Sequence, residues 1–82
     1  MLSDEVIIAR LTNVFRDVFD NDDIQVSGDM TAVDVEGWDS LAHIKLVLAV
    51  EREFQMKFKA AEIGNLAFVS DMIDIVRKTA PG

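Results

Sequence analysis

Apolar residues return at intervals of three and four along three separate stretches of this chain, a recurrence that fits packed helices and not strands. In the first stretch Val6, Leu11, Val14, Phe15 and Val18 carry the repeat. Ser3 stands before it as a cap, with Asp4 and Glu5 in the first turn, which predicts a helix from Ser3 to near Phe19. The second stretch opens behind Gly37 with Asp39 as N-cap. It runs through Leu41, Ile44, Val47, Leu48 and Val50 to about Phe54 with no Gly or Pro. A short helical turn is expected near Ala60 to Ile63, stopped by Gly64-Asn65. The last helix is expected from about Phe68 to Lys78, with Val69, Met72, Ile73 and Val76 inward and Thr79-Ala80-Pro81-Gly82 as a frayed tail. The fold class is all-α, and 82 residues leave room for one core, so residues 1–82 are expected to form one domain.

The stretch from Asp20 to Asp39 breaks the pattern. Asp20-Asn21-Asp22-Asp23, Ser27-Gly28-Asp29 and Gly37 are turn residues, whereas Ile24, Val26, Met30 and Val35 are spaced singly. A loop of this length is functional or disordered in most domains, and its interleaved apolar residues predict one packed onto the core.

Charge is distributed unevenly along the chain. Of a net charge of −7, residues 1–39 carry ten acids against two bases, and residues 40–82 carry five acids against six bases. Such a field repels nucleic acid and anionic membrane surfaces and favours protein partners with basic patches. No run approaches the roughly 18 apolar residues of a membrane span, so membrane insertion is not expected. With no cysteine, disulfides, thiolate metal sites and thiol nucleophiles are excluded together. The start Met-Leu-Ser-Asp-Glu lacks the basic and apolar regions of a signal peptide, so the expected location is cytoplasmic.

The usual catalytic constellations fail on inspection. Counted from Asp20, a calcium loop would need glycine and glutamate where Gln25 and Thr31 stand. His43 is the only histidine, which removes a multi-histidine zinc site, and no glycine-rich phosphate loop occurs. Asp39, Ser40 and His43 invite a hydrolase reading, since Ser40 and His43 share a helical face. A triad also needs an orienting acid and an oxyanion hole beside a cleft, for which so short a chain has little wall. His43 is expected instead to be a surface or partner-contact residue.

Two features of the second helix remain. Asp39 can do the capping, which frees the Ser40 hydroxyl at a helix start whose unpaired N–H groups and positive dipole end favour a phosphate attached there. With Val47, Val50 and Phe54 inward, Leu41, Ile44 and Leu48 form a second apolar stripe turned outward, towards solvent or a partner.

On these residues the chain resembles the acyl carrier protein family over nearly its whole length. The resemblance rests on Asp39-Ser40-Leu41, the following Ile44-to-Phe54 helix with Glu51-Arg52-Glu53-Phe54 at its end, the Lys57-Phe58 pair, the short third helix and the Val69-to-Val76 helix. It implies a four-helix bundle with a long first loop. It implies that Ser40 receives 4′-phosphopantetheine from coenzyme A through a magnesium-dependent phosphopantetheinyl transferase, and that the arm's thiol carries an acyl group as a thioester. Asp39 and Leu41 would contact the transferase. Leu41, Ile44, Lys45, Leu48, Glu51 and Arg52 would meet acyl-loading and acyl-using enzymes, with the carrier acting as a monomer. The inner residues Val47, Val50, Phe54, Ile63 and Ile73 could hold part of an acyl chain or serve packing alone.

The chain departs from the family's pattern in its second helix, where Lys45 and Arg52 stand beside Glu51 and Glu53, and in Trp38 and His43. The resemblance implies a carrier of fatty-acid, polyketide or related biosynthesis, and near-neutral local charge favours a specialised stand-alone carrier of a polyketide, modified-lipid or amino-acyl pathway over the housekeeping fatty-acid role. The alternative is a non-catalytic helical interaction module that binds a partner through Leu41, Ile44 and Leu48.

Overall fold

The computed structural model describes residues 3–66 and 68–80. In order it contains α1 (Asp4–Val18), a 3-10 turn (Ala32–Asp34), α2 (Ser40–Phe54), α3 (Ala60–Gly64) and α4 (Val69–Thr79). The helices start and stop where the local chemistry dictates. Ser3 accepts from the N–H of Val6 at the head of α1, and Asp39 Oδ1 accepts from the N–H of Ala42 at 2.8 Å at the head of α2. In α3 and α4 the third residue reaches back: Glu62 accepts from the Lys59 N–H at 2.8 Å and Asp71 from the Phe68 N–H at 2.9 Å. Both long stops are left-handed. Asp20 (φ 49°) closes α1, with the Asn21 N–H on the Arg16 carbonyl, and Gln55 (φ 53°) closes α2.

α1 packs against both α2 and α4. Its Ile7, Leu11 and Phe15, fully buried, meet Leu46, Val47, Val50 and Phe54 of α2 and Val69, Met72, Ile73 and Val76 of α4 in one core. Leu46, which lies outside the repeat that predicts α2, is also fully buried, so the helix buries a wider face than spacing suggests. Arg77 ties the last turn of α4 to the first turn of α1 through Asp4, at 2.8 Å, and also pairs with Asp74. These two carboxylates, Asp4 foremost, hold the guanidinium pKa above its ordinary value.

The long loop is packed, as its interleaved apolar residues predict: Ile24, Val26 and Val35 are buried and Met30 lies half-buried against the core. Backbone bonds fix it at both sides. Thr12 of α1 accepts from the Val26 N–H, and Arg16 donates to the Ile24 carbonyl at 2.8 Å. On the other side the Gly28 and Met30 carbonyls, each at 2.9 Å, take the otherwise unpaired Ser70 and Val69 N–H groups that open α4. The loop thereby caps a helix distant in sequence.

The tail begins later than spacing predicts. Thr79 belongs to α4, and Ala80 rests half-buried on the core with its N–H on the Val76 carbonyl. Of the expected frayed tail, Pro81 and Gly82 lie outside the described residues.

Candidate functional site

Ser40 is the first residue of α2, and it is exposed. Asp39 alone caps the helix, and among the described residues the Ser40 hydroxyl makes no hydrogen bond. An uncommitted hydroxyl at a helix start, next to free N–H groups, can take a phosphodiester without losing any bond that holds the fold. Gly37, two residues before the cap, sits at φ +89°, a left-handed conformation that a side chain would strain. That turn delivers Asp39 and Ser40 to the surface.

Beside Ser40 lies a groove of about 480 Å³ lined by Ala32, Trp38, Asp39, Ser40, His43 and Ile44. Its floor is aromatic. The Trp38 ring meets Phe15 edge-on at 5.4 Å and 82°, lies 6.0 Å from Phe19, and is nearly coplanar with His43, the ring centres 6.0 Å apart at 16°. The indole Nε1–H, which can only donate, reaches His43 Nδ1 at 3.1 Å. His43 therefore carries its own proton on Nε2 and donates it to the Ile63 carbonyl of α3 at 3.2 Å.

His43, expected as a surface or partner-contact residue and not a base, lines this groove but is held more firmly than that expectation suggests. The side chain is half-buried and both ring nitrogens are spent on tying the loop before α2 to α3. The hydrolase reading loses its base for the same reason. Sequence reasoning set Trp38 apart as unusual but had no signal for the bond between the two rings.

The outward stripe is present. Leu41, Ile44 and Leu48 are 67%, 50% and 53% exposed. Lys45 and Arg52 are exposed along the same helix, and Glu51 is half-buried beside them. Its carboxylate turns inward and accepts from the Phe58 N–H at 2.8 Å, holding the chain after α2, and the side chain is 10% exposed. Glu53 is also occupied, paired with Arg10 of α1 at 2.7 Å. The α2 surface thus shows its lysine and arginine more than its acids. A second groove, of about 650 Å³, follows at the far end of the stripe between Leu48, Glu51, Arg52, Gln55, Met56 and Lys57. Val33, 93% exposed, and Phe68, 49% exposed, are apolar surface residues that helical spacing did not single out.

Of the inner residues considered for cargo, Val47, Val50, Phe54 and Ile73 are buried core and Ile63 packs half-buried against it. Among the described residues no group of three or more histidine or acidic side chains could hold a metal ion. No described helix is long and apolar enough to cross a membrane.

Comparison with known proteins agrees with this geometry. The chain matches no family model. It is 28% identical over 78 residues to an acyl carrier protein of Thermotoga maritima, covering 95% of this chain and 96% of that protein. Among solved structures it is similar to the solution structure of a holo acyl carrier protein from Geobacter metallireducens. That likeness has a TM-score of 0.81 and 38% identity, over 87% of this chain and 82% of the other.

Proposed function

The chain belongs to the acyl carrier protein family, and from that premise we propose that Ser40 is the attachment point of a 4′-phosphopantetheine arm. The observation that carries this reading is the exposed Ser40 hydroxyl, left free because Asp39 does the capping. When bound, the group supplies a thiol that holds an acyl group as a thioester.

The chain's own residues supply position and recognition. The rigid start of α2 fixes where the arm emerges, and the helix N–H groups and dipole favour the phosphate. A phosphopantetheinyl transferase, using magnesium and coenzyme A, would contact Asp39 and Leu41. Acyl-loading and acyl-using enzymes would dock on Leu41, Ile44 and Leu48, with Lys45 and Arg52 at the rim. Exposed apolar anchors within a charged surface suit brief, repeated contacts. With no cysteine, the chain has no thiol of its own to compete for the acyl group. A net charge of −7 favours a monomer through self-repulsion, and the proposed location is the cytoplasm.

Because Glu51 is largely buried on the Phe58 N–H and the exposed Glu53 is paired with Arg10, the docking helix offers little unpaired negative charge. That supports a specialised pathway, polyketide, modified-lipid or amino-acyl, over docking to strongly basic partners. The exposed stripe also fits a simple interaction module, and one experiment separates the two. Intact mass is measured before and after incubation with coenzyme A, magnesium and a broad-specificity transferase. A gain of one phosphopantetheine, abolished by Ser40→Ala, is expected. No gain with several transferases would overturn the carrier reading in favour of the module.

A further inference from the structure

We propose that the groove at the far end of the outward stripe, between Leu48, Arg52 and Lys57, receives an acidic segment of a partner protein, with carboxylates on the two cations and an aliphatic side chain against Leu48. The proposal rests on the carrier reading only for what that partner does, as an acyl-loading or acyl-using enzyme. Of the groove's lining, Leu48 is 53% exposed and Met56 is buried, so one aliphatic side chain stands out in a charged surround. Arg52 is exposed and, among the described residues, joins no ion pair. On its other flank it shares a shallow groove with Asp17 and with Glu53, which Arg10 holds. The Lys57 side chain is 88% exposed and lies 3.9 Å from Glu51. Glu51 is the one acid of the lining, and its other oxygen accepts from the Phe58 N–H.

The stripe therefore changes sign along its length. Leu41, next to Ser40, shares a groove with Glu36, Asp39 and Lys45, two acids to one base. At a helical rise of about 1.5 Å per residue, Arg52 stands about 18 Å along α2 from Ser40. That is roughly two screening lengths at physiological ionic strength. A docked partner thus meets the Arg52 end as a positive patch, although the chain carries −7 overall. The chemistry selects a protein over a lipid surface. Charge-driven lipid recognition takes clusters of about 4–8 bases, whereas this groove has two, on a chain whose net charge repels an anionic membrane. Opposite signs at the two ends also fix the direction in which a partner lies along α2, because a reversed partner puts like charges together at both.

The test titrates the isotope-labelled whole chain with three synthetic peptides of about 15 residues, followed by backbone NMR signals. Each peptide has leucines at i, i+3, i+4 and i+7 on one helical face, flanked throughout by glutamate, by glutamine or by lysine. The glutamate peptide is expected to shift Leu48, Arg52, Met56 and Lys57 and to bind about tenfold more tightly than the glutamine peptide. The lysine peptide should leave those four signals in place. Arg52→Glu combined with Lys57→Glu should abolish the advantage of glutamate over glutamine; both side chains are exposed, and circular dichroism checks that the fold is kept. Equal binding of the glutamate and glutamine peptides, shifts centred elsewhere, or no binding at all would overturn the proposal. So would two other occupants of the groove. Phosphatidylserine vesicles that shift the four signals when the glutamate peptide does not would make it a lipid site, and shifts on concentrating the chain alone would make it a contact between copies. The unmodified chain is used throughout, so the result is independent of Ser40. A bound glutamate peptide beside a failed transferase experiment would leave an interaction module with an acidic partner.

Discussion

The inner and outer faces of α2 carry the same aliphatic chemistry in opposite surroundings. Leu46, Val47, Val50 and Phe54 are at most 3% exposed, while Leu41, Ile44 and Leu48 on the same helix are at least 50% exposed. Residue type does not separate them. Angle around the helix axis does, because the inner side chains join the core shared with α1 and α4, while among the described residues the outer ones stay exposed. The inner face should therefore govern stability and the outer face binding.

The largest effect that could break this division is expected at Phe54, fully packed beneath Arg10, whose guanidinium lies 4.5 Å from the ring centre. Phe54→Ala should destabilise by about 3–5 kcal/mol in urea unfolding, through lost burial and a residual cavity. A cost near that of a surface change would mean that the inner face is not a packed core. Next comes the boundary between the two faces. Asp39→Ala removes the cap at the head of α2 and should cost about 1 kcal/mol of thermal stability. It should also let Ser40 turn to replace it as a local hydrogen-bonding group. Because Asp39 is also a proposed transferase contact, thermal stability and not the transferase rate reads its capping role.

The smallest stability effect is expected on the outer face. Leu48→Ala should stay within about 0.5 kcal/mol of the parent while weakening capture by an acyl-using enzyme in a titration. If its stability falls as far as that of Phe54→Ala, the stripe is part of the core and not a docking surface.

Much of this division was legible in the sequence. Ser3 and Asp39 marked their helices because short oxygen side chains accept from the first free N–H groups, a local rule that neighbours do not alter. The outward turn of Leu41, Ile44 and Leu48 followed from their spacing once Val47, Val50 and Phe54 were taken as inward. Leu46 escaped because a helix flanked by more than one packing partner buries a wider arc than a single stripe. His43 and Glu51 escaped for a different reason. Each is a polar side chain that periodicity places near the surface, and each turns towards a backbone group brought to it by a segment beyond its own helix, the Ile63 carbonyl or the Phe58 N–H. Val33 gave no signal either, since a lone valine in a loop reads equally as anchor or as surface.

What the sequence determined by itself was everything that depends on neighbours within a few positions: four helix starts, their breakers, and a serine left uncapped at the head of α2. What only the tertiary structure decided was the partner of each polar group across the chain. The Gly28 and Met30 carbonyls cap α4, Trp38 reaches His43 and His43 reaches the Ile63 carbonyl. Those pairings depend on how the long loop and α3 settle against the helices, and no local rule carries that information, because a buried donor needs some acceptor but does not specify which one.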